Sequence, residues 1–259
     1  LKMLFNRLVP CLLLKNQGLV KTVKFKNERY IGDPINTVKL FNEKDVDEII
    51  LLDIGVTLKN QEPDFALIEE IANECFIPLC YGGGVRSISQ MYKIYALGVE
   101  KISLSSKAID DINFIKEAIN IFGSQSIVVT LDYKKTFFGK KMIYVCNGKI
   151  KTKYSVEEYV NILNEVGVGE IVLNSIDNDG TMLGYDKETI KIMSKMTKIP
   201  IIALGGAGNL NDMIEIIKEA DITAAAAGSL FVYHGKLKGI LINYPKFDDI
   251  QLMMNSEVK

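Results

Sequence analysis

The chain has 259 residues, with 31 Lys and Arg against 32 Asp and Glu, a net charge of −1, and 48% hydrophobic residues. That length buries about three quarters of the unfolded surface if it folds as one large α/β domain. The charge balance gives no global attraction for nucleic acid or an anionic membrane, so any phosphate binding has to be local.

No apolar run approaches the roughly 18 residues needed to cross a bilayer, and the first ten residues lack the apolar stretch of a signal peptide. Cys11, Cys75, Cys80 and Cys146 show no CxxC spacing. The expectation is a cytoplasmic protein with buried thiols, no metal and no cofactor. His234 is the only histidine and is expected to be structural, which leaves no Ser-His-Asp or Cys-His chemistry resting on it.

Short apolar runs bounded by Gly, Pro or Asp alternate with amphipathic segments, the pattern of repeated βα units. The expected strands are Arg7–Lys15, Asp47–Gly55, Ile77–Gly82, Lys101–Ser106, Ser126–Tyr133, Glu170–Ile176, Ile199–Gly205 and Ile222–Leu230. Helical patterns between them include Asp33–Val46, Ser87–Gly98, Asp111–Gly123, Ser155–Val166, Asp186–Thr197 and Asn209–Ala220. Ser155 and Glu158 have the capping-box spacing. Two stretches break the rhythm. Lys15–Asp33 reads as a long basic loop, and Lys134–Tyr154 reads as a two-stranded flap after the fifth strand, with its turn at Asn147 and Gly148.

The chain also repeats itself. Gly82–Ser87 (GGGVRS) is matched about 123 positions later by Gly205–Leu210 (GGAGNL), and Leu52–Ile54 by Ile176–Asn178. Two halves of four units, about 1–124 and 125–259, make a single (β/α)8 TIM barrel over 1–259, with its chemistry at the C-terminal ends of the strands.

Asp132 ends the apolar run Ser126–Asp132 and is the expected catalytic acid or base. Gly83 and Gly84 in one half, and Gly205 and Gly206 in the other, each end a strand before a helix, where bare backbone N–H groups suit an anion. Ser105 and Ser106 follow the fourth strand and Gly228 and Ser229 the eighth, as partners of the two turns. Asp179 and Gly180 follow the sixth strand beside Asp177 and are placed with the phosphate-binding groups. A ligand with a phosphate at each end follows. Lys21, in the basic loop, is placed over the barrel mouth, and Asp53 is a further strand-end acid facing the pocket.

Together these motifs resemble the cyclase subunit of imidazole glycerol phosphate synthase, the HisF family. The resemblance rests on Arg7–Leu12, Gly18–Lys21, Phe25 with Gly32–Pro34, Asp47–Asp53, Gly82–Ser87, Phe122–Gln125, Asp177–Thr181 and Gly205–Gly208. It implies a barrel that receives ammonia from a glutaminase partner docked on its bottom face and passes it to a phosphorylated substrate at the top. It further implies an ammonia gate of Arg7, Glu48, Lys101 and Glu170.

At the top the resemblance departs from the family pattern. The family's two catalytic aspartates fall at Leu13 and Asp132, its Asn after the fourth strand at Ser105, its Thr after the sixth at Asn174 and its Ser after the seventh at Leu204. Lys21 is retained. Leucine exchanges no proton, and losing half of an acid–base pair costs roughly 10²–10⁴ in rate.

That split resembles a divergent branch, the cyclase-like subunits of acetamidino modification of surface-polysaccharide or nonulosonic-acid sugars. Such a branch implies sugar amidation and a separate sugar amidotransferase as a further partner. The alternatives are the histidine-pathway cyclase itself and a non-catalytic scaffold that activates the glutaminase.

Overall fold

The computed structural model describes residues 6–235 and 237–255. Eight parallel strands, β1 (Arg7–Lys15), β2 (Ile49–Asp53), β3 (Leu79–Gly82), β4 (Lys101–Leu104), β5 (Ile127–Lys135), β6 (Glu170–Ser175), β7 (Ile201–Leu204) and β8 (Ala224–Ala227), pair in chain order. β8 returns to β1, with Ala224 opposite Arg7, so the sheet closes. This is the expected (β/α)8 barrel.

Closure makes the strand period of two into a division of labour. On β1, Leu8, Leu12 and Leu14 join the large core between sheet and helices. Val9 and Cys11 turn inward to meet Ile50, Cys80, Val128 and Val172 in a second cluster inside the barrel. The helices begin where a short polar side chain caps the first turn. Asp33, Asp64, Ser87, Asp111, Ser155, Asp186 and Asn209 each accept a backbone N–H. The expected capping box at Ser155 and Glu158 is present, and Ser87 with Gln90 and Asn209 with Asp212 form two more. Helices at Phe65–Asn73 and Phe247–Asn255 add to the expected set.

Lys15–Asp33 is not the expected loop. Gly18–Val23 pairs antiparallel with β1 and with Lys26–Gly32, forming a ribbon that rises from the barrel. Both of its reversals are two-residue turns with positive φ at each position, Asn16–Gln17 and Lys24–Phe25, the geometry that matches strand twist. Neither carries the Asn-Gly signature, so the lysines dominated the sequence pattern. The expected flap does form. β5 continues past the mouth to Lys135, Lys141–Val145 runs back beside it, and Ile150–Ser155 completes three antiparallel strands.

Glycine is required where the second half's turn meets the loop before it. A Cβ on Gly206, at φ +115°, would lie 2.1 Å from the Gly184 carbonyl oxygen. On Gly98, at φ +94°, it would meet nothing within 4 Å. Gly98→Ala should therefore cost only backbone strain, about 1–2 kcal/mol, whereas Gly206→Ala should cost at least about 1 kcal/mol more. Chemical denaturation midpoints of the two variants measure the difference.

Candidate functional site

At the N-terminal end of the barrel, Arg7, Glu48, Lys101 and Glu170 project inward from the starts of β1, β4 and β6 and from the residue before β2. Arg7 bonds Glu48 and Glu170. Lys101 bonds the same two acids at 2.9 and 2.8 Å. The four side chains thus close a ring of alternating charge. Burial acts to lower the pKa of both Arg7 and Lys101, but the two facing carboxylates outweigh it and raise both. Burial dominates at Glu48 and pushes its carboxyl upward against the pull of the two cations. Desolvating four charges offsets most of the attraction between them, so the ring contributes little net stability.

The opposite end of the lumen holds Asp132. Between the two ends lie the apolar inner cluster and a buried pair of hydroxyls, Ser103 and Thr130, 2.7 Å apart. Burial pushes the Asp132 carboxyl up to about 7, hydrogen bonds from Asn174 and Ser105 pull it back, and the charge of Asp179 adds to the rise. The Asn174 amide donates to Asp132 Oδ1 at 2.7 Å. Two cavities meet at this acid. The larger, about 450 Å³, is lined by Asp53, Gly83, Gly84, Ser105, Ser106 and Asp132. The smaller, about 180 Å³, is lined by Leu13, Lys21, Asp132, Asn174, Asp179 and Leu204.

The first-half turn, with its serines, therefore opens onto the acid as expected. Gly205, Gly206, Gly228 and Ser229 lie at the ends of β7 and β8 but line neither cavity. Lys21 is not on an exposed loop. It is buried on the ribbon, its ammonium 3.2 Å from Asp179 Oδ1. A Cβ on Gly228 would sit 2.8 Å from Lys21 Nζ, so the bare glycine is what lets the lysine lie across that turn. Thr22 Oγ1 donates to Asp179 Oδ2 at 3.1 Å, and Gly180 packs on the Thr22 backbone. Asp53 is held by the Gly55 N–H at 2.8 Å, with burial raising its pKa.

Several lining residues lie outside the expected set of site residues. Thr57 and Lys107 add polar groups to the larger cavity, and Arg86, at the end of the first Gly-rich motif, reaches Asn60 and the Gln61 carbonyl. Asn147 of the flap donates to the Ile54 carbonyl at 2.6 Å, tying the flap turn across the mouth. A Cβ on Gly148 would touch Phe25 of the ribbon at 3.0 Å, so ribbon and flap meet above Asp132. Among the described residues no cluster of three or more His, Cys, Asp or Glu is placed to hold a metal ion, and no helix is long and apolar enough to cross a membrane.

A family profile described as histidine biosynthesis protein matches residues 7–238. A Pseudomonas aeruginosa protein provisionally named imidazole glycerol phosphate synthase subunit hisF2 is 47% identical over 250 residues, 96% of this chain and all of that protein. This chain belongs to the HisF family. A Leptospira borgpetersenii relative, provisionally named imidazole glycerol phosphate synthase subunit HisF, is 50% identical over 248 residues, 95% of this chain and 98% of its own. Imidazole glycerol phosphate synthase subunit HisF of Bacillus cereus is 38% identical over 231 residues, 89% and 92% of the two chains. Within this HisF-family barrel, ring, lumen and acid lie along one axis.

The raised pKa of Asp132 makes stability depend on pH. A carboxyl that titrates near 3.8 when unfolded and about 7 when folded favours the folded state when protonated. That contribution is complete below about pH 4 and is lost as pH rises through about 7. Asp132→Asn removes it. Thermal unfolding should show the variant gaining stability relative to the parent from about pH 4 to about pH 8, with little difference at the acid end.

Proposed function

We propose that this chain is the synthase subunit of a glutaminase-coupled pair, taking ammonia in at the Arg7–Glu48–Lys101–Glu170 ring and using it at Asp132 on a phosphorylated ligand. The observation that carries the proposal is the alignment of the closed ring with the partly buried acid Asp132 at opposite ends of one barrel. An ion-paired ring contributes little as a structural device. As a gate it blocks water and ions while one ion pair opens to admit a small neutral molecule. The glutaminase would dock on the ring face. The ligand's phosphate would bind the backbone N–H groups of Gly83 and Gly84 with the hydroxyls of Ser105 and Ser106. A second phosphate at Gly205, Gly206, Gly228 and Ser229 requires Lys21 to swing off Gly228. Asp132, titrating near the operating pH, suits proton transfer.

The names of these relatives favour the histidine-type reaction, imidazole glycerol phosphate synthesis, and none of them names the expected amidation of a sugar or a sugar amidotransferase. Leu13 and Leu204 supply the specific observation for the second reading. They face the smaller cavity beside Asp132, where a second proton-transfer group would stand. An apolar wall of Leu13, Leu52 and Leu204 beside Asp132 fits delivery of nitrogen to a different phosphorylated acceptor. The scaffold reading needs no chemistry at Asp132 and is separated by Asp132→Asn.

Incubation with the glutaminase partner, glutamine and the phosphorylated ribulosyl compound that the histidine-pathway cyclase consumes, followed by mass spectrometry, tests the reaction. Consumption at roughly 1 s⁻¹ or faster supports the histidine-type reaction, while stimulated glutaminase without substrate loss supports the changed acceptor. Asp132→Asn should lower turnover by roughly 10²–10⁴; unchanged turnover would leave the scaffold. Lys101→Met should cut glutamine-driven turnover about tenfold or more while leaving ammonium-driven turnover near the parent rate, a split read by comparing the two nitrogen sources.

A further inference from the structure

Ser105 and Ser106 are neighbours just beyond β4 and both line the larger cavity, yet their hydroxyls are engaged differently. Ser105 gives its one hydroxyl proton to Asp132. Ser106 Oγ accepts instead, from the Cys146 backbone N–H of the flap at 3.1 Å. A hydroxyl has one proton to donate as well as lone pairs to accept with, so Ser106 keeps its proton for a group in the cavity.

The other polar side chains of this wall do not join the cavity to the flap in that way. Arg86 donates to Asn60 and to the Gly84 and Gln61 carbonyls, and Lys107 to Asp111. Thr57 Oγ1 accepts the Gly84 N–H at 3.3 Å and keeps its own proton, but it has no bond to the flap. Two further bonds seat the flap turn, Asn147 to the Ile54 carbonyl at 2.6 Å and Lys134 to the Gly148 carbonyl at 3.1 Å. Both end on a carbonyl, which has nothing to donate to an anion.

We propose that Ser106 fastens the flap in response to phosphate, donating its proton to a phosphate oxygen in the larger cavity while its lone pair holds the Cys146 N–H. The phosphate rests on the function proposed above; the bond between flap and serine does not. Donation polarises the hydroxyl oxygen and makes it a better acceptor, so the two bonds strengthen each other. The coupling is reciprocal: phosphate holds the flap down, and a seated flap holds the phosphate. Val145, Cys146, Asn147 and Ile150 of the flap form part of the cavity wall. Fastening them closes the mouth beside Asp132 to water when a phosphorylated ligand is in place. An uncharged hydroxyl at the same position accepts more weakly than a phosphate, so the coupling favours the phosphorylated ligand.

Hydrogen exchange of the Cys146 amide reads the latch, followed by NMR on the full chain with and without inorganic phosphate at matched ionic strength. Broadening of the ³¹P line reads phosphate binding separately. Saturating phosphate should slow the Cys146 amide about fivefold or more. The Gly167 amide, bonded to Leu163 at the end of the helix Val156–Val166, should not change. Ser106→Ala should need more phosphate to saturate and show no slowing once saturated, whereas Ser106→Thr, which keeps the hydroxyl, should retain it. Ser106→Gly serves if the alanine variant does not fold. Phosphate binding without slowing at Cys146 in the parent, or equal slowing in Ser106→Ala, overturns the inference and leaves the phosphate site standing. Absence of saturable phosphate binding in the parent overturns the site and the inference together.

Discussion

Four charges joined end to end at the base of a closed barrel set the constraint on everything above them. Each of Arg7, Glu48, Lys101 and Glu170 would be costly to bury alone, and each is matched by two partners of opposite sign. The ring can exist only because sheet closure brings residues from β1, β4, β6 and the approach to β2 to the same height facing the same axis. The same two-residue period that turns Glu170 inward turns Asn174 inward four positions later, and Val128 leads to Asp132 by the same count. One geometrical rule therefore couples the two ends of the lumen.

The mouth is where this chain departs from a symmetric plan. In the second half an acid stands at the strand end; in the first half the matching place holds Leu13. The consequence is an acid flanked by apolar wall, with its pKa lifted toward neutrality because there is little to stabilise its charge beyond Asn174 and Ser105. A second carboxylate there would have repelled it and given the pair two distinct proton affinities. With leucine, the smaller cavity has an apolar wall beside Asp132, suited to an uncharged portion of its ligand.

Much of this was legible in the sequence because it followed periodicity. The eight runs, the flap turn at Asn147–Gly148 and the serine-capped helix at Ser155 all carry local signals that the packed structure keeps. Ring membership came from the resemblance at four positions, and closure of the sheet supplies the contacts. What escaped was non-local or atypical. The ribbon hid behind turns made of Asn16–Gln17 and Lys24–Phe25 rather than Asn-Gly, so Lys21 read as a loop charge although it is buried against Asp179. The bond from Cys146 to Ser106 joins the flap to the end of β4, and no single stretch of chain encodes it. The second Gly-rich turn matches the first by pattern, yet Gly206 is closed against the Gly184 carbonyl and Lys21 of the distant ribbon lies across its partner Gly228.

The claim that ring and acid are two ends of one path is tested most directly by isotope competition in the complex with its glutaminase. Glutamine labelled with ¹⁵N in its amide would be supplied together with an excess of unlabelled ammonium, and the product's nitrogen read by mass spectrometry. A sequestered path predicts that the parent protein places mainly ¹⁵N in the product and that Lys101→Met loses that preference. Equal dilution of the label in both proteins would contradict passage through the barrel.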